Sequence, residues 1–321
     1  MSQKKTLKFI GKILQILIVI GVIIYLFKGI NLRKLYFVLS HYSLLFSFFT
    51  IFLIFLSYVA LSLRWDYLTN KTLGFLPSFE TVIIADFINI VLPARIGDLS
   101  KIFYLKKYYN KETHTTFSAL FIERFLDINM LLLFTIIISF IYTDNKRIKI
   151  ALVMLLFIIL FFLLLIKTKI SKFLLYLIPI ARIKEYGLKL IEEVNKGLTL
   201  KSLFVSVFYT FFLWIIYFLK NVVFFRYTAG FHLSIFEIFV LFAVSTISFV
   251  VPITPGGIGT YQASVVFVAT LYGVDKEPAL LAGLVLQFFQ ILFTSLAFFI
   301  IFVTKNVSIS TFRNIKKEEI A

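Results

Sequence analysis

Apolar residues in this chain come in long unbroken runs separated by short basic or polar segments. Runs long enough to cross a bilayer core, about 20 residues, stand near residues 9–27, 43–63, 118–142, 150–167, 202–225 and 279–304. None alternates with the period of two that a barrel strand would show, so each predicts a helix. Two further stretches break the pattern. Residues 81–110 offer one short apolar arm, "TVIIADFINIV", before the sequence "LPARIGDLSK"; residues 235–273 carry longer arms around "VPITPGGIGTYQ". Proline removes a backbone donor and glycine weakens a helix. Unpaired backbone in hydrocarbon costs several kcal/mol per group, so such segments survive at depth only when buried in protein or lining a wet cavity. The prediction is an all-α polytopic membrane protein with about six spans plus two broken, re-entrant helical segments, thus about six to eight transmembrane helices. The first broken segment is expected to enter and leave from the cytoplasm, its arm being too short to cross. The second either crosses twice or turns back.

Composition fixes the solvent. Hydrophobic residues make up 60% of the 321, with 41 Phe, and the mean hydropathy is +0.98, against about 45–50% apolar residues in a soluble domain. The chain has no cysteine, which excludes disulfides, thiolate metal sites and cysteine nucleophiles. His41, His114 and His232 stand apart without metal-ligand spacing, and the run "GGIG" lacks the lysine of a phosphate loop. No metal, cofactor or direct ATP drive is expected. The net charge of +17 is explained by the positive-inside rule rather than by nucleic acid. Arg95, Lys101, Lys106, Lys107 and Lys111 crowd one loop, and Lys167, Lys169, Lys172, Arg182, Lys184, Lys189 and Lys196 another; both should face the cytoplasm. So should the two termini, the second being a basic tail over 305–321. The basic start "MSQKKTLKFIGK" has no cleavage site after its apolar run and reads as an uncleaved first helix of a multi-pass protein in the cytoplasmic (inner) membrane. Residues 169–198 mix Leu and Ile with charge and read as a helix along the inner surface.

An offset of 162 residues lays Pro93, Ile96 and Gly97 on Pro255, Ile258 and Gly259, and Arg64 and Trp65 on Arg226 and Tyr227. One residue of slip brings Arg124 and Asp127 onto Gln287 and Gln290. The single membrane domain, 1–321, is thus expected to hold two repeat units, 1–142 and 150–304, each running span, span, broken segment, span. Three spans per unit is an odd number, which inverts the second unit relative to the first.

Candidate chemistry sits where polar residues enter the apolar frame. The first broken segment carries Asp86, Asn89, Arg95 and Asp98; a helix starting near Asp98, with Arg95 beside it, would suit an anion such as a phosphate. The alternative is an Arg95 to Asp98 pair at the cytoplasmic surface. Glu123, Arg124 and Asp127 share one face of the third span, where ionisable groups face inward and are functional candidates; the alternative is a neutralised ion-pair cluster that pins the bundle. The second broken segment is uncharged and offers Thr260 and Gln262 as polar contacts. Pro93, Gly97, Pro252, Pro255, Gly256, Gly257 and Gly259 are the expected hinges. Arg64, Lys220 and Arg226 read as snorkelling residues at span ends, and Trp65 and Trp214 as interfacial anchors or packing.

The motifs "LPARIGDLSK", "ERFLD" and "PITPGGIGTYQ", in that order, resemble the transmembrane region of lysylphosphatidylglycerol synthases, also called the flippase-like or uncharacterised 0104 family. That resemblance implies an inner-membrane protein that moves or handles lipids, and carries over the Pro93 to Asp98 loop, the Glu123, Arg124 and Asp127 cluster and the Pro252 to Gln262 loop. The residues expected around the substrate are Arg95, Asp98, Glu123, Arg124, Asp127, Thr260 and Gln262, with Asn89 added from its place in the first broken segment. The chain ends soon after its last span, so the soluble aminoacyl-transferase domain of bifunctional members is not expected. The function expected is a flippase or translocase for a lipid with an anionic head group, a phospholipid or a prenyl-phosphate-linked lipid. Its partners would be membrane lipids, together with an enzyme of lipid or envelope synthesis. The rivals are a membrane-embedded transferase using Asp98, Glu123 or Asp127 as general base, and a non-catalytic membrane partner.

Overall fold

The computed structural model describes residues 40–92, 95–142, 144–166, 200–250 and 254–305, with a few positions between 187 and 194. The expected first helix near 9–27, the surface helix over 169–198 save those few positions, the tail after Lys305, and the hinges Pro93 and Pro252 lie outside the described residues.

Every element among the described residues is helical. They are α1 (Leu44–Leu68), α2 (Phe75–Val91), α3 (Ile96–Tyr109), α4 (Thr113–Tyr142), α5 (Lys146–Ile166), α6 (Leu200–Val222, continuing as a π-helical turn over Val223–Thr228), α7 (Ile235–Val250), α8 (Thr260–Leu271) and α9 (Lys276–Lys305). Four helices are long and apolar enough to span a bilayer: Leu44–Leu68, Thr113–Tyr142, Phe204–Thr228 and Lys276–Lys305. They answer four of the sequence-expected spans, and α5 occupies the fifth. Phe48, Phe52 and Phe55 on α1, and Phe288, Leu292 and Phe299 on α9, remain largely exposed. In water such stripes would be a liability; here they are the lipid-facing surface.

The broken segments take the form expected of re-entrant arms. α2 has 17 residues and α3 has 14, about 26 and 21 Å at 1.5 Å per residue, and neither reaches across a core of about 30 Å. α7 and α8 have 16 and 12 residues, about 24 and 18 Å, and pack on one another as a hairpin. Neither helix of the second segment reaches across a core of about 30 Å either. The turn between them is a 3-10 stretch, Pro255–Gly257, followed by Gly259. Gly256, Gly257 and Gly259 have φ of +58°, +71° and +87°, a region L-residues avoid. Gln262 closes the start of α8 by accepting the Gly259 N–H at 2.7 Å. α7 starts on a capping box in which Ser234 Oγ accepts from Glu237 N at 3.2 Å and Glu237 Oε2 accepts from Ser234 N at 2.7 Å.

The chain forms two compact units, and α1, α2, α6 and α9 each contribute to both. The first comprises the described parts of Met1–Phe55, Asp86–Gly97 and Tyr217–Ile300; its core gathers Phe224, Phe225, Leu241, Val265 and Leu286. In it the ends of the two broken segments meet, for a Cβ added to Gly256 would lie 3.3 Å from Ile90 Cα. Phe87 and Phe298 stack nearby with centroids 3.9 Å apart. The second comprises the described parts of Leu56–Ala85, Asp98–Ile216 and Ile301–Ala321, with Trp65, Ile83, Leu105 and Ala119 at its centre.

Candidate functional site

The second unit holds an ionic cluster inside apolar helices. Glu123, Arg124 and Asp127 project from one turn of α4, as their spacing predicts. Arg64, near the end of α1, reaches two of them: Nη2 lies 2.9 Å from Glu123 Oε1 and Nη1 lies 2.7 Å from Asp127 Oδ1. Lys101 of α3 holds the other Glu123 oxygen at 2.7 Å. Its ammonium also stands 4.1 Å from the centroid of the Trp65 ring, a cation–π contact strengthened by burial. Arg124 joins Asp98 at 3.2 Å, Asp127 at 3.5 Å and Glu123 at 3.6 Å. Trp214 of α6 donates its indole N–H to Asp127 at 3.3 Å, and Arg64 donates to Thr210 at 3.4 Å.

Three cations, Arg64, Lys101 and Arg124, face three carboxylates, Asp98, Glu123 and Asp127, so the formal charges balance. The cluster has a closed and an open side. The side chains of Arg64, Lys101 and Glu123 are 1%, 3% and 0% exposed, with contacts of 2.7–2.9 Å. Arg124 and Asp127 are 32% and 22% exposed, and the contacts of Arg124 run from 3.2 to 3.6 Å. Arg124 is the loosest and wettest cation of the group.

Arg64 did not read as a functional residue in the sequence. The sequence reads it as snorkelling at a span end; instead it is the hub of the cluster, because α1 carries it inward to two carboxylates whose charge, with that of Asp98, Lys101 and Arg124 alone do not balance. Lys101 looked like one basic loop residue among several and is buried. Trp65, expected as an interfacial anchor or as packing, is fully buried and so packs. The signal available in the sequence was the "LRWD" run at an otherwise apolar helix end.

The other expected site residues fall in the first unit. Asn89 is half-buried in α2, and Arg95 occupies the turn before α3 with φ +53°. Gly97 follows it. Thr260 donates to Gly257 O at 3.0 Å, and Gln262 donates to Gln287 of α9, which in turn donates to Gly256 O at 2.7 Å. The structure thus joins Asp98, Glu123, Arg124 and Asp127 directly. It gathers Thr260, Gln262 and the glycine turn separately, through Gln287.

A third polar group lies in the second unit at the far ends of α3 and α9. Tyr104 and Tyr109 donate to Glu80 Oε2 at 3.0 and 2.5 Å, and Lys305 approaches Glu80 Oε1 at 3.2 Å. Burial first, then the bond to Glu80 and its charge, push the Tyr109 phenol up to about 12.

The family model described as the lysylphosphatidylglycerol synthase TM region matches residues 12–297. The chain belongs to that family. The match to the lysylphosphatidylglycerol synthase TM region takes in both broken segments and the whole ionic cluster. Membership makes it a membrane protein and links it to membrane lipid. Searches of curated proteins and of solved structures give no match.

Proposed function

We propose that the chain is a translocase that carries a lipid with an anionic head group, a phospholipid or a prenyl-phosphate-linked lipid, across the cytoplasmic membrane. The observation that carries this reading is the two-sided ionic cluster. Passing a phosphate through hydrocarbon is slow because its charge must shed water. A polar path lowers that barrier if it offers a cation that can change partners. Arg124 fits: it is partly exposed, and its carboxylate contacts are longer than those of Arg64 and Lys101. An arriving phosphate competes with Asp98 and Asp127 for the guanidinium, whose planar fork suits a bidentate contact. Arg64 and Lys101 remain on Glu123 and Asp127 meanwhile, so neither of those two carboxylates is left bare in the bilayer. The close approach of Gly256 to Ile90 packs the non-helical turn of the second broken segment tightly against α2, and broken backbone of this kind lines transport paths.

The transferase reading needs a carboxylate free to accept a proton. Asp98, Glu123 and Asp127 are each held by at least one cation within 3.5 Å, so that reading gains no support. The test is transfer of labelled phosphatidylglycerol between the leaflets of vesicles containing the purified chain. Wild type should exceed Arg124→Ala and Arg95→Ala, with Arg124→Lys between; equal rates in all four would sink the translocase reading.

A further inference from the structure

Three cations are buried among the described residues: Arg64, Lys101 and Lys220. The first two end on carboxylates at 2.7–2.9 Å. Lys220, on α6 in the first unit, meets no carboxylate among the described residues. It is 9% exposed; its ammonium reaches Gln290 Oε1 of α9 at 3.5 Å, the long limit of a hydrogen bond, and lies 5.5 Å from the Tyr217 ring. A lysine inside a span with its charge unanswered is expensive, and such residues mark ligand or ion pathways.

Comparison with the ionic cluster shows what is missing. α4 and α9 are both 30 residues long, and Asp127 and Gln290 each stand fourteen residues after the first residue of their helix. Arg124 and Gln287 each stand eleven residues after it. Asp98 and Gln262 are each the third residue of the short helix before, and Asp98 meets Arg124 as Gln262 meets Gln287. A cation from the preceding long helix completes each set, Arg64 on Asp127 and Lys220 on Gln290. The two sets share one layout, but in the second Gln262 and Gln290 stand where the first has Asp98 and Asp127, and Leu286 stands where it has Glu123. No carboxylate among the described residues therefore answers the charge of Lys220. A second feature marks the same place: α6 changes from α to π geometry at Val223, three residues beyond Lys220, and π turns inside helices gather at functional sites.

We infer that Lys220 is a second anion station, whose missing counter-ion is the phosphate of a lipid head group. This rests on the translocase reading and extends it, because a head group leaving one cation needs another before it returns to water. Gln290 and Gln287 orient the phosphate without competing for the lysine. The site is closed in the conformation described, and the π turn is where α6 can yield to admit a ligand.

The experiment uses the full chain with Arg124→Ala, so that only the Lys220 station is read, in nanodiscs of phosphatidylcholine. The probe is pyrene-labelled phosphatidylglycerol, followed by energy transfer from the protein's tryptophans, with pyrene-labelled phosphatidylcholine as control. Adding Lys220→Gln should weaken phosphatidylglycerol binding about tenfold or more, the scale of one charge-assisted contact. Lys220→Arg should stay within about threefold of the parent, and the control should not respond. Gln290→Glu restores the carboxylate of the other set: it should raise the melting temperature and abolish phosphatidylglycerol binding together. A merely structural lysine would be stabilised by that glutamate with no loss of binding, which would overturn the inference. So would unchanged binding in Lys220→Gln, and displacement of the probe by inorganic phosphate would overturn the lipid assignment. Lysine-dependent binding in a wild-type chain that transfers no lipid would leave this site standing and defeat the translocase reading. Transfer that persists with no Lys220-dependent binding would do the reverse.

Discussion

Replacing Arg64 with methionine probes the centre of the ionic cluster. Arg64 is 1% exposed and holds Glu123 at 2.9 Å and Asp127 at 2.7 Å, so its loss turns a balanced group of six charges into one with an uncompensated negative charge. Breaking a buried pair from one side costs about 3–5 kcal/mol. At roughly 2–4 °C per kcal/mol this lowers the melting temperature by about 6–20 °C. Removing one carboxylate as well, in Arg64→Met with Glu123→Gln, restores the balance, since Lys101 and Arg124 then face Asp98 and Asp127. The double variant should recover at least half of the loss, a coupling of about 1.5 kcal/mol or more between directly contacting groups. The assay is thermal unfolding in detergent followed by intrinsic fluorescence. The chain has two tryptophans, and both touch the cluster, Trp65 beneath Lys101 and Trp214 on Asp127. A single variant as stable as wild type, or a double variant no better than the single, would refute the electrostatic account.

Other expectations follow from separate parts of the fold. Gly256→Ala places a Cβ 3.3 Å from Ile90 Cα at φ +58° and should cost about 1–2 kcal/mol in the same melt; an unchanged melt would mean that the two broken segments do not touch. The Tyr109 phenol, raised to about 12, gives stability that is intact below its unfolded value of about 10 and is lost as pH rises through about 12. The tyrosinate absorbance of wild type minus Tyr109→Phe should therefore titrate near 12, and a midpoint near 10 would contradict the Glu80 contact. Because the native chain has no cysteine, single cysteines at Thr72 and His232 can report topology. Impermeant reagents should reach them from opposite faces if the second repeat unit is inverted, and same-face labelling would rule inversion out.

The helices were legible because their apolar runs are long and their breakers abrupt. The re-entrant character of Thr81 to Val91 followed from counting residues against membrane thickness. That of 235–273 did not, because its arms are apolar enough to pass for spans, and only the observed helix lengths of 16 and 12 residues show them short of a bilayer core. Within the site, Glu123, Arg124 and Asp127 were visible through their helical spacing, while their partners were not. Arg64 lies 59 residues from Glu123 and Lys101 lies 22. Local sequence does not say whether a cation at a helix end turns to the interface or to the core. Arg226 and Arg64 illustrate this, since the offset of 162 residues pairs them, yet Arg226 is exposed over the Tyr227 ring and Arg64 is buried. Lys220 was misread for the same reason, its significance lying in the carboxylate that position 290 lacks.

The central claim, that this membrane domain moves anionic lipid, is tested most directly by wild-type chain in vesicles carrying trace fluorescent phosphatidylglycerol or phosphatidylcholine. Loss of inner-leaflet label to an external quencher is followed over time. The account predicts transfer of phosphatidylglycerol well above protein-free vesicles and faster than that of phosphatidylcholine. Transfer of neither lipid above the protein-free rate, or equal transfer of both, would contradict it.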